Sequence, residues 1–241
     1  MGDLGAIPVG DGAEFLRERR GDVHHENAWS PFRYVTRRLR ETTREMVAAA
    51  GLSPGDVVVD YGCADVPYRD LFEGVTYRPA DLPGNPEAEL ELRPDGSVPL
   101  PDGCCRLVLS TQVLEHVPDP AAYLAESFRL LEPGGSLALT THGLMYLHRD
   151  PTDYWRWTCD GLARVITDAG YDVVELRGIL GLVPAALQLM QDGMGSKVPR
   201  RLRKPYVAAF QALISLTDRR TSDSARNDNA LVFAVLARKP G

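Results

Sequence analysis

The run VVVDYGCAD at 57–65 constrains the fold more than any other stretch of the chain. Three consecutive valines leave no polar face, so the segment suits a strand buried on both sides, as in a parallel sheet. Parallel strands need helical crossovers, and the rest of the chain supplies them. Apolar residues at helical spacing (Val35, Leu39, Met46, Val47) predict a helix over 32–50, stopped by Gly51, Ser53, Pro54 and Gly55. A helix near 67–73, strands near 75–80, 88–92 and 107–110, and a helix opening on Pro120 after Asp119 follow. Pro133, Gly134 and Gly135 break that helix before a strand at 136–141; a helix at 159–169 and strands at 171–177 and 230–238 complete the series. The alternation defines an α/β class: a doubly wound, mostly parallel sheet of seven strands with helices on both faces. Residues 1–50 read as an N-terminal arm and helix, and 51–241 as one domain with a helical insertion near 178–229.

Composition narrows the partners. With 241 residues and a net charge of −6, the chain has no positive field to attract a phosphate backbone, so nucleic acid is not expected. The most apolar stretch, GILGLVPAALQLM at 178–190, is too short to span a bilayer and contains Pro184, so no membrane partner is expected. The first residues lack a signal-peptide core, which implies a cytoplasmic chain. Cys63, Cys104, Cys105 and Cys159 form no CxxC pair and read as free thiols.

Ligands of such sheets bind at the carboxyl ends of the strands. There DYGCAD at 60–65 places a glycine where the backbone turns tightly, but Ala64 and Pro67 spoil the G-x-G-x-x-G pattern of a dinucleotide site. A carboxylate at Asp60 suits a ligand with an amino group, such as the methionine end of S-adenosylmethionine, or it serves the turn alone. Asp81, about twenty residues on, ends the second strand, where an acid accepts hydrogen bonds from ribose hydroxyls. Asp95 and Gly96 follow the third strand, as an adenine contact or as a polar turn.

With these stand ADLPG at 80–84, DGSVPLPDG at 95–103 and LVLSTQVLEHVPDPAAYLAESFRLLEPGGSLALTT at 107–141. Over about residues 57–177 the chain resembles the class I S-adenosylmethionine-dependent methyltransferases of the type 11 family. The resemblance implies a Rossmann-like fold and S-adenosyl-L-methionine as cofactor. It also implies a cofactor site in which Asp60 and Gly62 line the methionine, Asp81 and Leu82 the ribose, Asp95 and Gly96 the adenine, with Gln112 nearby. Ala64 departs from the glycine many members have. Glu115 and His116 of LEH either brace the next helix or act in catalysis.

After the fifth strand, THGLMYLHRDPTDYWRW at 141–157 borders the place of the transferred methyl group and holds two of the five histidines. A hydroxyl acceptor needs a base to remove its proton, and His148, His142 and Asp153 are the candidates, with His148 favoured. Tyr154 and Trp155 suit stacking on a sugar or aromatic acceptor, and Arg156 suits an acidic group on it, unless the segment only braces the following helix. His24, His25 and Trp29 in the arm could close over the pocket. No metal-ligand spacing is diagnostic, so no metal is expected. The leading reading is O-methylation of a sugar or natural-product hydroxyl, the oxygen following from its frequency in the family. N-methylation of an amino sugar or amine, or an inactive cofactor-binding partner subunit, are the alternatives. The insertion, rich in leucine, covers the pocket or makes a homodimer contact.

Overall fold

The computed structural model describes residues 29–149 and 152–241. The arm residues His24 and His25, and Asp150 and Pro151 of the loop after the fifth strand, lie outside the described residues. The valine run forms β1 (Val57–Tyr61), at the centre of a seven-stranded sheet. The other strands are β2 (Thr76–Asp81), β3 (Leu90–Glu91), β4 (Cys105–Thr111), β5 (Leu131–His142), β6 (Asp172–Gly181) and β7 (Ala230–Arg238). Their order is β3-β2-β1-β4-β5-β7-β6, and only β7 runs antiparallel, against β5 and β6. The expected α/β sheet with helices on both faces is therefore present.

Alternation along β1 assigns its two sides. Val59 and Tyr61 face a layer built by α2 (Pro120–Leu130) and α3 (Cys159–Asp168), through Tyr123, Leu124, Leu162 and Ile166. Val58 faces α1 (Arg33–Ala50), which buries Val35, Met46 and Val47 against Leu107 and Leu109 of β4. Pro120 opens α2 as expected, with the Asp119 carboxylate accepting from the Ala122 N–H at 3.0 Å.

Three elements differ from the sequence reading. The helix expected near 67–73 shrinks to a 3-10 turn at Arg69–Leu71. Pro67 and the left-handed Val66 before it prevent a longer one. β5 begins at Leu131, so Pro133–Gly135 lie inside the strand, where the register to β4 shifts, and not in a separate turn. β6 continues to Gly181, four residues beyond the expected end, because Ile179 and Gly181 pair with Val232 and Ala230. A side chain at Gly178 would meet the Arg226 carbonyl at 2.0 Å, so only glycine lets β6 pass there. The helical insertion consequently starts at α4 (Leu182–Gly195) and continues through α5 (Arg203–Asp218) and α6 (Asp223–Asp228). It is tied to the start of α1 by Gln188, Gln191 and Gln211, whose side-chain amides all donate to the Pro31 carbonyl. Among the described residues, no helix is long and apolar enough to cross a membrane. The four cysteines are free thiols.

Candidate active site

The turn after β1 is bolted to β2, for the N–H groups of Gly62 and Cys63 both donate to the Ala80 carbonyl, at 2.8 and 3.1 Å. Gly62 has φ +87°, and a Cβ on it would lie 2.5 Å from Val113 Cγ2 of the loop after β4. Ala64, which departs from the glycine of many family members, takes a glycine-like φ of +47°. That strained conformation persists because the Ala64 N–H is held by Asp81 Oδ2 at 2.8 Å.

Asp60 is buried at the end of β1. The Tyr77 hydroxyl donates to its Oδ2, whereas Oδ1 has no partner among the described residues. Burial pushes this carboxyl up to about 7, against the opposing pull of the Tyr77 hydrogen bond. Asp81 accepts from the Leu82 N–H through Oδ1 at 2.7 Å and from the Asn85 amide through Oδ2 at 2.7 Å. Its Oδ1 retains a lone pair, and the Leu82 side chain beside it stands exposed. Asn85 was not singled out by the sequence; its only signal is its place four residues after the acid. Asp95 sits on an exposed turn, where the Ser97 hydroxyl and N–H hold its carboxyl below the usual range. The Gly96 carbonyl accepts from the Tyr61 hydroxyl at 2.6 Å. Gln112 is left-handed (φ +57°) and bonds Thr140 of β5 through side chain and backbone. An orphaned buried carboxylate oxygen, a crowded glycine turn, a half-free acid and an exposed leucine fit a ligand with an amino group, a diol and a flat base.

The orphaned oxygen makes a prediction about pH. Between about pH 4 and 7 the folded Asp60 stays protonated while its unfolded counterpart ionises, so its contribution to stability falls as pH rises and levels off above 7. Asp60→Asn removes this penalty. Without cofactor, its melting temperature should exceed that of the parent by a margin growing from pH 4 to 7, reaching about 10 °C. A margin constant between pH 5 and 8 would sink the assignment.

The loop after β4 links this turn to a second cluster. Three residues beyond Gln112, Glu115 is fully buried; its Oε2 accepts from the Thr141 hydroxyl at 2.8 Å and its Oε1 lies 3.3 Å from His142 Nε2. His142 ends β5, and its ring stands 5.9 Å from that of His148 and 6.4 Å from that of His116. The His116 and His148 rings are 5.7 Å apart, closing a triangle. His116 Nδ1 donates to the Thr152 carbonyl at 2.6 Å, which leaves Nε2 as the acceptor in the neutral ring. Burial lowers His142 to about 3, helped by the Arg156 charge; burial and the neighbouring His142 lower His148 to about 4. Burial raises Glu115 to about 7. The imidazoles of His142 and His148 are thus neutral at physiological pH and only weakly basic. Glu115 and His116, for which the sequence left bracing and catalysis open, sit at the heart of this cluster.

Two of the candidate residues are engaged with neighbours in their own loop. The Asp153 side chain is almost wholly buried and accepts from the Arg156 guanidinium fork and the His148 N–H. Although burial opposes it, these donors hold the carboxyl below the usual range, so Asp153 is an anchor and a poor base. Arg156 has donors spent on the Met145 and Tyr146 carbonyls as well. It closes the 145–156 loop and has little left for an acidic acceptor group. Trp155 donates its indole N–H to the Val117 carbonyl at 2.8 Å and stacks on Trp157 at 6.0 Å, while Tyr154 is half exposed. Among the described residues, no group of three or more His, Cys, Asp or Glu side chains is placed to hold a metal.

The sheet order, the glycine turn and the acid ending β2 define a class I methyltransferase fold. A model of the methyltransferase domain family matches residues 32–176. The chain belongs to that family. It is 30% identical over 142 residues to a Mycolicibacterium smegmatis protein described as a probable S-adenosylmethionine-dependent methyltransferase, covering 52% of this chain and 55% of that one. A ubiquinone biosynthesis O-methyltransferase of Cereibacter sphaeroides is 33% identical over 96 residues, 31% of this chain and 37% of that one. These matches span about half, or less, of the length of the curated relatives. Phosphoethanolamine N-methyltransferase 2 of Haemonchus contortus, solved with S-adenosylhomocysteine, superimposes with a TM-score of 0.56 at 14% identity, over 83% of this chain and 53% of that one. At that identity the likeness shows the fold alone.

Proposed function

We propose that this chain transfers a methyl group from S-adenosylmethionine to a hydroxyl of a small molecule, a sugar or a natural product, with His148 as the base. The observation that carries this reading is the triangle of His116, His142 and His148 beside the cofactor turn, two of its imidazoles kept neutral by burial. When bound, S-adenosylmethionine supplies a methyl group already activated on a sulfonium. Asp60 Oδ1 would take its amino group, Asp81 its ribose hydroxyls with Leu82 packed alongside, and Asp95, Gly96 and Gln112 the base. Val113 packs over the Gly62 turn, between the cofactor residues and the histidines. His148, half buried and pushed low by burial, is wholly in its acceptor form near pH 7. So weak a base suits a proton removed in step with bond formation to the oxygen, not ahead of it. Tyr154 and Trp155 offer the exposed aromatic faces on which an acceptor ring would rest. The hydroxyl reading is also consistent with the O-methyltransferase named among the relatives.

His148→Asn tests the base. Turnover on hydroxyl acceptors should fall about 10²–10⁴-fold, while calorimetry shows unchanged S-adenosylmethionine affinity. Undiminished turnover would move the assignment to an amine acceptor, whose neutral nitrogen needs no base. Tight cofactor binding with no turnover on any acceptor, by the parent protein, would point to a non-catalytic subunit.

A further inference from the structure

The helical insertion presents a surface that the site does not use. Along α4 the residues Leu182, Ala186, Met190 and Met194 recur every four positions and all face solvent, with Val183 beside them. This stripe holds no charged residue, although an exposed helix face normally carries several. From Pro205 to Leu216, α5 has no charged residue at all, and Ala208, Ala209, Ala212, Leu213 and Leu216 are exposed. The buried sides of the two helices hold Pro184, Ala185, Gln188, Gln191, Ile214 and Asp218, with Leu187 and Leu189 packed partly against the core. Both helices thus bury polar side chains, Gln188, Gln191 and Asp218, while Leu182, Met190, Met194, Leu213 and Leu216 stand exposed.

Where α4 passes to α5, the sequence KVPRRLRK places five cations, Lys197, Arg200, Arg201, Arg203 and Lys204, within residues 197–204, all exposed. Residues 178–229 carry eight Lys and Arg against four Asp, in a chain whose net charge is −6. The ammonium of Lys204 lies 5.4 Å from the centre of the Trp29 ring, which is itself half exposed. An apolar stripe, a cationic cluster and a tryptophan are the three components of a helix that lies in a membrane interface: hydrocarbon contact, attraction to anionic headgroups and an amphipathic ring at the boundary.

We infer that α4, α5 and the 197–204 segment between them form a docking surface for an anionic phospholipid membrane. That no helix among the described residues is long and apolar enough to cross a bilayer bears on crossing one, not on resting upon one. Two alternatives fit the same surface less well. A second copy packed by two-fold symmetry would bring the cationic clusters together, and a nucleic acid would meet the cations but leave the apolar stripe without a partner. The surface is independent of which acceptor is methylated.

The 241-residue chain should co-sediment with phosphatidylcholine vesicles containing about a third phosphatidylglycerol at least tenfold more strongly than with phosphatidylcholine alone, and less at 0.5 M salt. Both Arg200→Glu/Arg201→Glu/Lys204→Glu and Met190→Asp/Met194→Asp should reduce binding at least tenfold while far-ultraviolet circular dichroism stays unchanged. Arg164→Glu, on the exposed face of α3, should leave binding as it was. The inference is overturned by absence of binding at low salt, by binding indifferent to both multiple variants, or by a sedimentation-equilibrium dimer that Met190→Asp/Met194→Asp converts to monomer without any vesicle binding by the parent.

Discussion

Gly62→Ala should cost about 2–4 kcal/mol of stability and weaken S-adenosylmethionine binding at least tenfold. Two terms add. The left-handed backbone, φ +87°, penalises a side chain by about 1 kcal/mol or more. The added methyl would also stand 2.5 Å from Val113 Cγ2 and 2.9 Å from its Cγ1, and a β-branched side chain has few rotamers to escape into. Overpacking of this kind costs about 1–3 kcal/mol. Displacing Val113 moves the backbone that leads to Glu115, so the damage reaches the histidine triangle as well as the cofactor turn. The double variant Gly62→Ala/Val113→Ala separates the terms: it should regain the packing part of the affinity loss and keep the conformational part. Urea unfolding and calorimetry measure both, and a single variant that binds and unfolds like the parent would refute the crowded-turn reading.

This turn shows why the sheet was legible in the sequence. A strand buried on both faces can be written only with apolar residues, so VVVD at 57–60 and ALVFAVLAR at 230–238 announce themselves, and the second was placed with its true ends. The parts misread were those where a local signal competes with pairing across the sheet. Pro133–Gly135 look like a turn, yet Leu131 already pairs with Cys105, and the break becomes an irregularity inside β5. β6 runs on because its partner β7 does, and nothing within residues 178–181 says so.

The candidate site was legible by location and not by role. Asp153 and Arg156 stand three apart and carry opposite charges, but spacing alone does not tell whether they face each other or a ligand; burial of the Asp153 side chain decides it. Glu115 was visible in LEH without a partner, because Thr141 and His142, which define it, lie 26 or more residues away. Buried ion and hydrogen-bond partners are matters of three-dimensional packing, and a single sequence carries no periodicity that reports them. The clustering of His142 and His148 with Glu115 and His116 is thus a product of the fold, assembled from the ends of β4 and β5.

Glu115 therefore provides the sharpest test of whether that cluster is machinery or scaffolding. Glu115→Ala should lose about 1–3 kcal/mol, since the buried Thr141 hydroxyl is left without its acceptor. That loss would follow from either role. Glu115→Gln discriminates, because the amide oxygen still accepts from Thr141 and the amide nitrogen can donate to His142, so the fold should survive. What disappears is the ionisation that burial has raised to about 7. In the parent, the carboxylate formed above that pH steadies a proton on His142 and makes the triangle more basic, so turnover should climb as pH passes through 7. In the glutamine variant this limb should be absent, with the KM for S-adenosylmethionine unaltered, because Glu115 acts on the histidines and not on the cofactor turn. A Glu115→Gln enzyme that retains the rise through pH 7 would reduce the residue to a structural brace and would leave the proton to be handled by His148 and His116 alone.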